Sequence, residues 1–107
     1  MQQTDRNQVG QGSRPAEKKA HREVAFILSS HDAEEVYLAG DFNQRAPRSL
    51  PMLQHGEDHW WEKRLALALG RYEYKLIVNG VWIHNPDAPV NVSNLHGSLN
   101  SVMEVRP

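Results

Sequence analysis

The segment that most constrains the fold is residues 70–83, which read GRYEYKLIVNGVWI. Polar and apolar side chains alternate through most of its first nine residues, and a period of two is that of a β-strand with one buried face. The Asn79-Gly80 pair then interrupts the run. A two-residue type I′ turn needs positive φ at both central positions, so an Asn-Gly pair is typical of it. We therefore predict a β-hairpin that returns along residues 81–83.

The same period of two recurs elsewhere, and no window sustains the i, i+3, i+4 spacing of an amphipathic helix. Further strands are predicted at residues 22–28, 36–42, 60–67 and 99–105, and loops at residues 43–51 and 85–98. Short alternating strands joined by turn-rich loops are typical of an immunoglobulin-like antiparallel β-sandwich, an all-β fold. We assign this fold to one domain, residues 21–107. Residues 1–20 hold almost nothing to bury, which predicts a flexible polar tail.

Composition excludes several classes of partner. The formal net charge is −1 and no basic face is visible, so a nucleic-acid partner is not expected. No apolar run approaches the roughly 20 residues of a membrane span, and the N-terminus lacks the apolar core of a secretory signal. We therefore expect a soluble, cytoplasmic protein with no membrane partner. The chain has no cysteine, which excludes disulfides and thiolate metal sites.

Two groups of residues could suggest enzyme chemistry. The histidines of His55–His59 have a spacing that suits a metal site on a helix, but the glycine between them predicts a polar loop instead. Asp32, Glu34 and Glu35 could supply paired carboxylates, but a glycosidase needs a cleft about 5–10 Å wide between its two acids. A small sandwich has little room for such a cleft. The sequence also has no nucleophile elbow and no phosphate-binding glycine loop. We predict no enzyme activity, no metal and no cofactor.

Neighbouring residues of a strand point to opposite faces, so Trp60 and Trp61 cannot both be buried. Trp61 shares its parity with Leu65 and Leu67 and is predicted to lie in the core. Trp60 is then predicted to be partly exposed or to cover a sheet edge.

The pattern leaves two interpretations of Trp82, which follows the Asn-Gly turn by two residues. Large aromatic side chains are usually mostly buried, so Trp82 could close the end of the core. Lys75, however, faces outward on the preceding strand, and Trp82 could be displayed near it. An indole beside an amine and amides suits a sugar, whose C–H groups stack on the ring while its hydroxyls form hydrogen bonds. The residues alone leave both interpretations open.

Three motifs, VYLAGDFN (36–43), GRYEYKLIVNGVWIHNP (70–86) and GSLNSVMEV (97–105), together resemble a family 48 carbohydrate-binding module. This family includes the glycogen-binding domain of the beta subunit of AMP-activated protein kinase. It also includes domains that precede the catalytic domains of branching and debranching enzymes, such as the N-terminal domain of isoamylase. The resemblance covers about residues 22–105. It implies an immunoglobulin-like sandwich that binds α-1,4-linked glucans, namely glycogen, starch or maltooligosaccharides, without catalysis.

The resemblance also implies a set of binding residues. The family's binding face has a lysine in a Tyr-Lys motif, a tryptophan after the turn, and a Leu/Thr/Asn group before the last strand. The matching residues here are Lys75, Trp82, Leu95, Ser98 and Asn100. His96 looks like an extra residue within the last group.

A second tryptophan of the family normally follows a Phe-Asn pair, and Arg45 stands in its place here. An aromatic contact contributes about 0.5–1.5 kcal/mol beyond its area burial, so its loss could weaken binding about tenfold. A guanidinium group can also stack and donate hydrogen bonds, so Arg45 is an atypical candidate for the same site. An alternative function is therefore a protein-interaction or regulatory domain of the same fold, with weakened or lost carbohydrate binding. Its partner would be a kinase or a glycogen-metabolic enzyme.

Overall fold

The computed structural model describes residues 20–56 and 59–107, so the predicted tail lies outside the described residues except for Ala20. The described strands are β1 (His21–Ser29), β2 (Val36–Gly40), β3 (Leu53–His55), β4 (Trp60–Ala68), β5 (Gly70–Val78), β6 (Val81–Ile83), β7 (Asn91–Ser93) and β8 (Leu99–Val105). A single 3₁₀ turn, Asp41–Asn43, follows β2. Among these residues no helix has the length and apolar character needed to cross a membrane.

The strands form two antiparallel sheets. One sheet has the order β1-β4-β3, and the other has the order β2-β5-β8-β7, with β6 also paired to β5. The predicted all-β, immunoglobulin-like antiparallel sandwich is confirmed. Because β5 pairs with β2, β6 and β8, it is the central strand of the larger sheet.

The core lies between the two sheets and is mainly aliphatic and aromatic. Phe26 on β1 and Tyr74 on β5 are both almost fully buried, and their rings meet edge to face with centroids 4.9 Å apart. Trp61 is buried, as its parity predicts. Trp60 is half-buried and stacks on His55 with ring centroids 4.0 Å apart, so the predicted division between the two tryptophans is confirmed.

The predicted hairpin joins β5 to β6. Asn79 has a φ of 51° and Gly80 a φ of 83°, so both turn residues occupy the left-handed region that the Asn-Gly pair favours. The side chain of Asn79 also accepts hydrogen bonds from the backbone N–H groups of Glu34 and Glu35, at 2.8 and 3.1 Å. The turn therefore holds the connection between β1 and β2, and it fixes the register of β6.

Two short strands depart from the sequence-based expectation. β7 lies inside the segment 85–98, so the prediction of an uninterrupted loop there is wrong. His55 ends β3 instead of lying in a loop, which corrects part of the loop predicted at residues 55–59. Each strand has only three residues, too few for a period of two to be visible. Their strand geometry comes from pairing with the next strand along the chain, β8 for β7 and β4 for β3, and not from a pattern in their own residues.

Candidate functional site

An open cavity of about 610 Å³ lies on the outer face of the larger sheet. Its walls come from β5, β6, β7 and β8, from the loop after β2, and from the loop between β7 and β8. The lining residues are Arg45, Glu73, Lys75, Trp82, Ser93, Asn94, Leu95, His96, Ser98 and Asn100. All six residues singled out from the sequence are among them, so the fold brings that set together in one place.

Trp82 is 45% exposed, so it is displayed and does not close the core. The Asn-Gly turn sets the register that places Trp82 opposite Ile77 and places Ile83 opposite the fully buried Leu76. Cross-strand partners share a face of the sheet, and that face alternates along each strand. Trp82 therefore lies on the outer face, the same face as Lys75.

The amine of Lys75 is joined to the β7–β8 loop through a serine hydroxyl. Lys75 Nζ donates to Ser98 Oγ at 3.0 Å, and Asn94 Nδ2 donates to the same oxygen at 2.7 Å. A hydroxyl has two lone pairs and one proton, so Ser98 Oγ accepts two hydrogen bonds and its own proton points elsewhere. Lys75 has three N–H groups, so its amine also keeps donors for a ligand.

A carboxylate, that of Glu73, lines the same cavity as this amine. Glu73 Oε1 accepts from Asn100 Nδ2 at 3.0 Å, and Glu73 Oε2 accepts from Arg71 Nη1 at 2.9 Å. These two hydrogen bonds, first that of Asn100 and then that of Arg71, lower the pKa of Glu73 below its ordinary value. Glu73 is therefore an ionised acceptor at neutral pH, and Asn100 is buried beneath the loop with its amide already engaged.

Arg45 is held by the loop that follows β2. Its backbone N–H donates to the carbonyl of Gly40 at 2.9 Å, and its φ is 58°. Its guanidinium forms an ion pair with Asp41, at 3.0 Å between Nη2 and Oδ1. The other oxygen of Asp41 accepts from the backbone N–H of Glu73 at 2.8 Å. Asp41 therefore links the arginine to β5 at the edge of the cavity.

Leu95 and His96 form the tip of the β7–β8 loop. Leu95 is completely exposed, although its side chain is apolar, and it lies at the rim of the cavity. His96 also lines the cavity.

Sequence reasoning did not identify Glu73, Ser93 or Asn94 as lining residues. Glu73 lies two residues before Lys75, so strand parity could have placed it on the same face. Asn94 carries no such signal, because its role depends on hydrogen bonds within a loop. In the part of the chain that the structure describes, no group of three or more potential ligands could hold a metal ion.

Comparison with known proteins identifies the family of this chain. The family model described as "Glycogen recognition site of AMP-activated protein kinase" matches residues 24–107. The chain is 32% identical over 82 residues to the chloroplastic phosphoglucan phosphatase LSF1 of Arabidopsis thaliana, a match covering 77% of this chain and 14% of that protein. It is 32% identical over 80 residues to the human 5'-AMP-activated protein kinase subunit beta-2, covering 75% of this chain and 28% of the subunit.

A rat beta-1 subunit of the same kinase is 34% identical over 111 aligned positions, covering 84% of this chain and 39% of the subunit. The chain therefore spans well under half the length of these three relatives. The family model, in contrast, matches most of the chain, including every strand from β2 to β8. On that match, the chain belongs to the family of the glycogen recognition site of AMP-activated protein kinase.

Proposed function

We propose that this domain is a non-catalytic module that binds α-1,4-linked glucans in the cavity around Trp82. The observation that carries the proposal is the exposed indole of Trp82 in the same open cavity as the amine of Lys75 and the hydroxyl of Ser98. A pyranose ring has an apolar C–H face and a rim of hydroxyls, so it needs an aromatic plate with hydrogen-bonding groups around it. This cavity supplies both.

Each residue of the proposed site has a distinct role. Trp82 stacks on a glucose ring, and Leu95 offers apolar surface at the rim. Lys75 and Ser98 donate hydrogen bonds to sugar hydroxyls. They do so with the N–H and O–H groups that are not used in the hydrogen bond between them. Arg45 donates from the opposite loop. Asn100 is buried, so its role is indirect: its Nδ2 donates a hydrogen bond to Glu73 Oε1 and holds that carboxylate in the cavity.

We expect modest affinity, in the micromolar to millimolar range. The cavity is open, so a bound glucan keeps much of its surface in water. A flexible sugar chain also loses conformational freedom when it binds, which opposes the few contacts that one aromatic plate provides.

The proposal is tested by titrating the ¹⁵N-labelled protein with maltoheptaose, an α-1,4-linked glucan, and with cellohexaose, its β-1,4-linked counterpart. We expect shift changes with maltoheptaose at residues 73–75, at Trp82 and in the loop 93–98, and smaller ones with cellohexaose. A folded protein whose spectrum is unchanged in millimolar maltoheptaose would contradict glucan binding. Equal responses to both sugars would contradict the α-1,4 preference.

The protein that carries this domain is proposed to bring a kinase or a glycogen-metabolic enzyme to the glucan. The support is that relatives named as kinase subunits and as a phosphoglucan phosphatase are far longer than the matched region. The alternative, a protein-docking domain with weakened glucan binding, is favoured by the arginine at position 45. It predicts no response to maltoheptaose and a stable complex with the partner. A cytoplasmic location stays a prediction, since one relative is named as chloroplastic.

A further inference from the structure

The loop between β7 and β8 carries two of the six proposed binding residues, Leu95 and Ser98, but buries little apolar surface. Leu95 at its tip is fully exposed, and Ser98 is exposed as well. Hydrophobic burial therefore cannot account for the position of these side chains. The polar contacts within the loop must do so.

Most of those contacts converge on the side chain of Asn94. Its Oδ1 accepts from the backbone N–H groups of His96 and Ser98, at 2.8 and 3.1 Å. Its Nδ2 donates to Ser98 Oγ at 2.7 Å and to Asn100 Oδ1 at 3.0 Å. The backbone N–H of Asn94 also donates to the carbonyl of Ser98 at 2.9 Å, which closes the base of the loop.

A side-chain amide has two N–H donors and two lone pairs on its oxygen. In Asn94 all four are used within the protein, although the residue lines the cavity. Asn94 therefore has no hydrogen-bonding capacity left for a sugar. Its acceptor side shapes the loop backbone, and its donor side orients the hydroxyl of Ser98 and the amide of Asn100.

We propose that Asn94 is the positioning residue of the glucan site: it makes no polar contact with the sugar but sets the loop and the orientation of Ser98 and Asn100 before the sugar arrives. This inference rests on the proposed function. Because both lone pairs of Ser98 Oγ are occupied by Asn94 and Lys75, its hydroxyl can act toward a sugar in the cavity only as a donor. A site that is ordered in advance loses less conformational freedom on binding, so the same contacts give a higher affinity.

Two substitutions test the acceptor (Oδ1) and the donor (Nδ2) of the Asn94 side chain separately. Asn94→Ala removes all four hydrogen bonds, so we expect faster amide hydrogen exchange at His96 and Ser98 and about tenfold or greater loss of maltoheptaose affinity. Asn94→Asp keeps an acceptor for the two backbone N–H groups. Its second carboxylate oxygen, however, accepts a hydrogen bond from the Ser98 hydroxyl, which then no longer donates to a sugar, and it repels Asn100 Oδ1. We expect exchange at His96 and Ser98 close to that of the wild type, with affinity still reduced about fivefold or more.

Replacing a residue that only stabilised the fold would lower the melting temperature and leave the affinity of the folded protein unchanged. Leu65→Ala is the control for that effect, because Leu65 lies on β4 in the other sheet and packs against the core away from the cavity. It should lower the melting temperature and leave the affinity unchanged. Wild-type affinity in Asn94→Ala, or an equal loss in Leu65→Ala, would overturn the role of Asn94 while leaving glucan binding intact. A wild-type protein that binds no glucan would instead overturn the proposed function, and the binding role of Asn94 with it.

Discussion

Replacing Trp82 by alanine should weaken glucan binding more than any other single truncation in the cavity. The side chain is the largest apolar group that the cavity exposes, and no other aromatic ring of the described residues lines it apart from the imidazole of His96. The alanine variant loses both the surface that a sugar ring would cover and the flat geometry that makes stacking favourable.

The size of the effect follows from the exposure of the indole. A tryptophan buries about 150–250 Å² when fully covered, and Trp82 is 45% exposed, so roughly 70–110 Å² remain open. A sugar that covers about half of this at about 25 cal/mol per Å² gains about 0.8–1.4 kcal/mol. Stacking adds about 0.5–1.5 kcal/mol beyond area burial. The total, about 1.3–2.9 kcal/mol, corresponds to roughly a 10- to 100-fold loss of affinity.

Isothermal calorimetry with maltoheptaose, beside a melting curve for each variant, measures this loss. The rest of the Trp82 side chain is covered, so Trp82→Leu is a useful second variant that keeps an apolar side chain opposite Ile77 without the indole plate. Trp60→Ala is the matched control, because Trp60 is a half-buried tryptophan on β4 that does not line the cavity. If Trp82→Ala and Trp82→Leu bind as the wild type does, or if Trp60→Ala loses as much, the stacking role of Trp82 is wrong.

Three further results are expected. Arg45→Trp should strengthen maltoheptaose binding about tenfold in calorimetry, because it adds a second stacking contact; weaker binding would indicate that the Arg45–Asp41 ion pair itself serves the site. The hydrogen bonds from Asn100 and Arg71 hold the pKa of Glu73 below its ordinary value of 4.5, so the stabilisation that they give is present above pH 4.5 and is lost as the pH falls through the lowered value. Melting curves of wild type and Glu73→Gln should therefore differ near neutral pH and converge in acid, and a constant difference would contradict this. Gly40→Ala places a Cβ 2.7 Å from Tyr74 Cβ and 2.6 Å from the Phe42 ring, so we expect overpacking to cost about 1–3 kcal/mol in urea unfolding; unchanged stability would contradict the close approach.

The sequence predicts the hairpin and the last strand well because their signals are local. The positive φ values at Asn79 and Gly80 are a property of those two residues, and the turn then sets the register of β6. β7 is different, because its residues pair with β8 across the β7–β8 loop and their own pattern carries no alternation. A strand that exists only through its partner cannot be predicted from its own three residues.

Strand parity assigns a side chain to a face but does not say whether that face is covered. Ile77 and Trp82 are cross-strand partners on the same outer face, yet Ile77 is buried and Trp82 is 45% exposed. Asn100 also lies beneath the cavity and is buried. Strand parity carries no information about such differences in coverage. For that reason the residue pattern alone does not decide whether Trp82 is buried or exposed, and the resemblance to the family is needed to favour an exposed indole.

Two asparagines hold the two loops that flank Lys75, and this explains how the site can change without loss of the fold. In the loop after β2, Asn43 Oδ1 accepts from the backbone N–H of Gly40 at 2.9 Å, and its Nδ2 contacts the carbonyls of Leu38 and Ala46 at 3.3 and 3.2 Å. The backbone of Arg45 is thus fixed by contacts that its own side chain does not make. The loop conformation depends on the side chain of Asn43, so the side chain at position 45 can differ without a change in that conformation. This explains how an arginine can occupy the position where the resemblance implies a tryptophan.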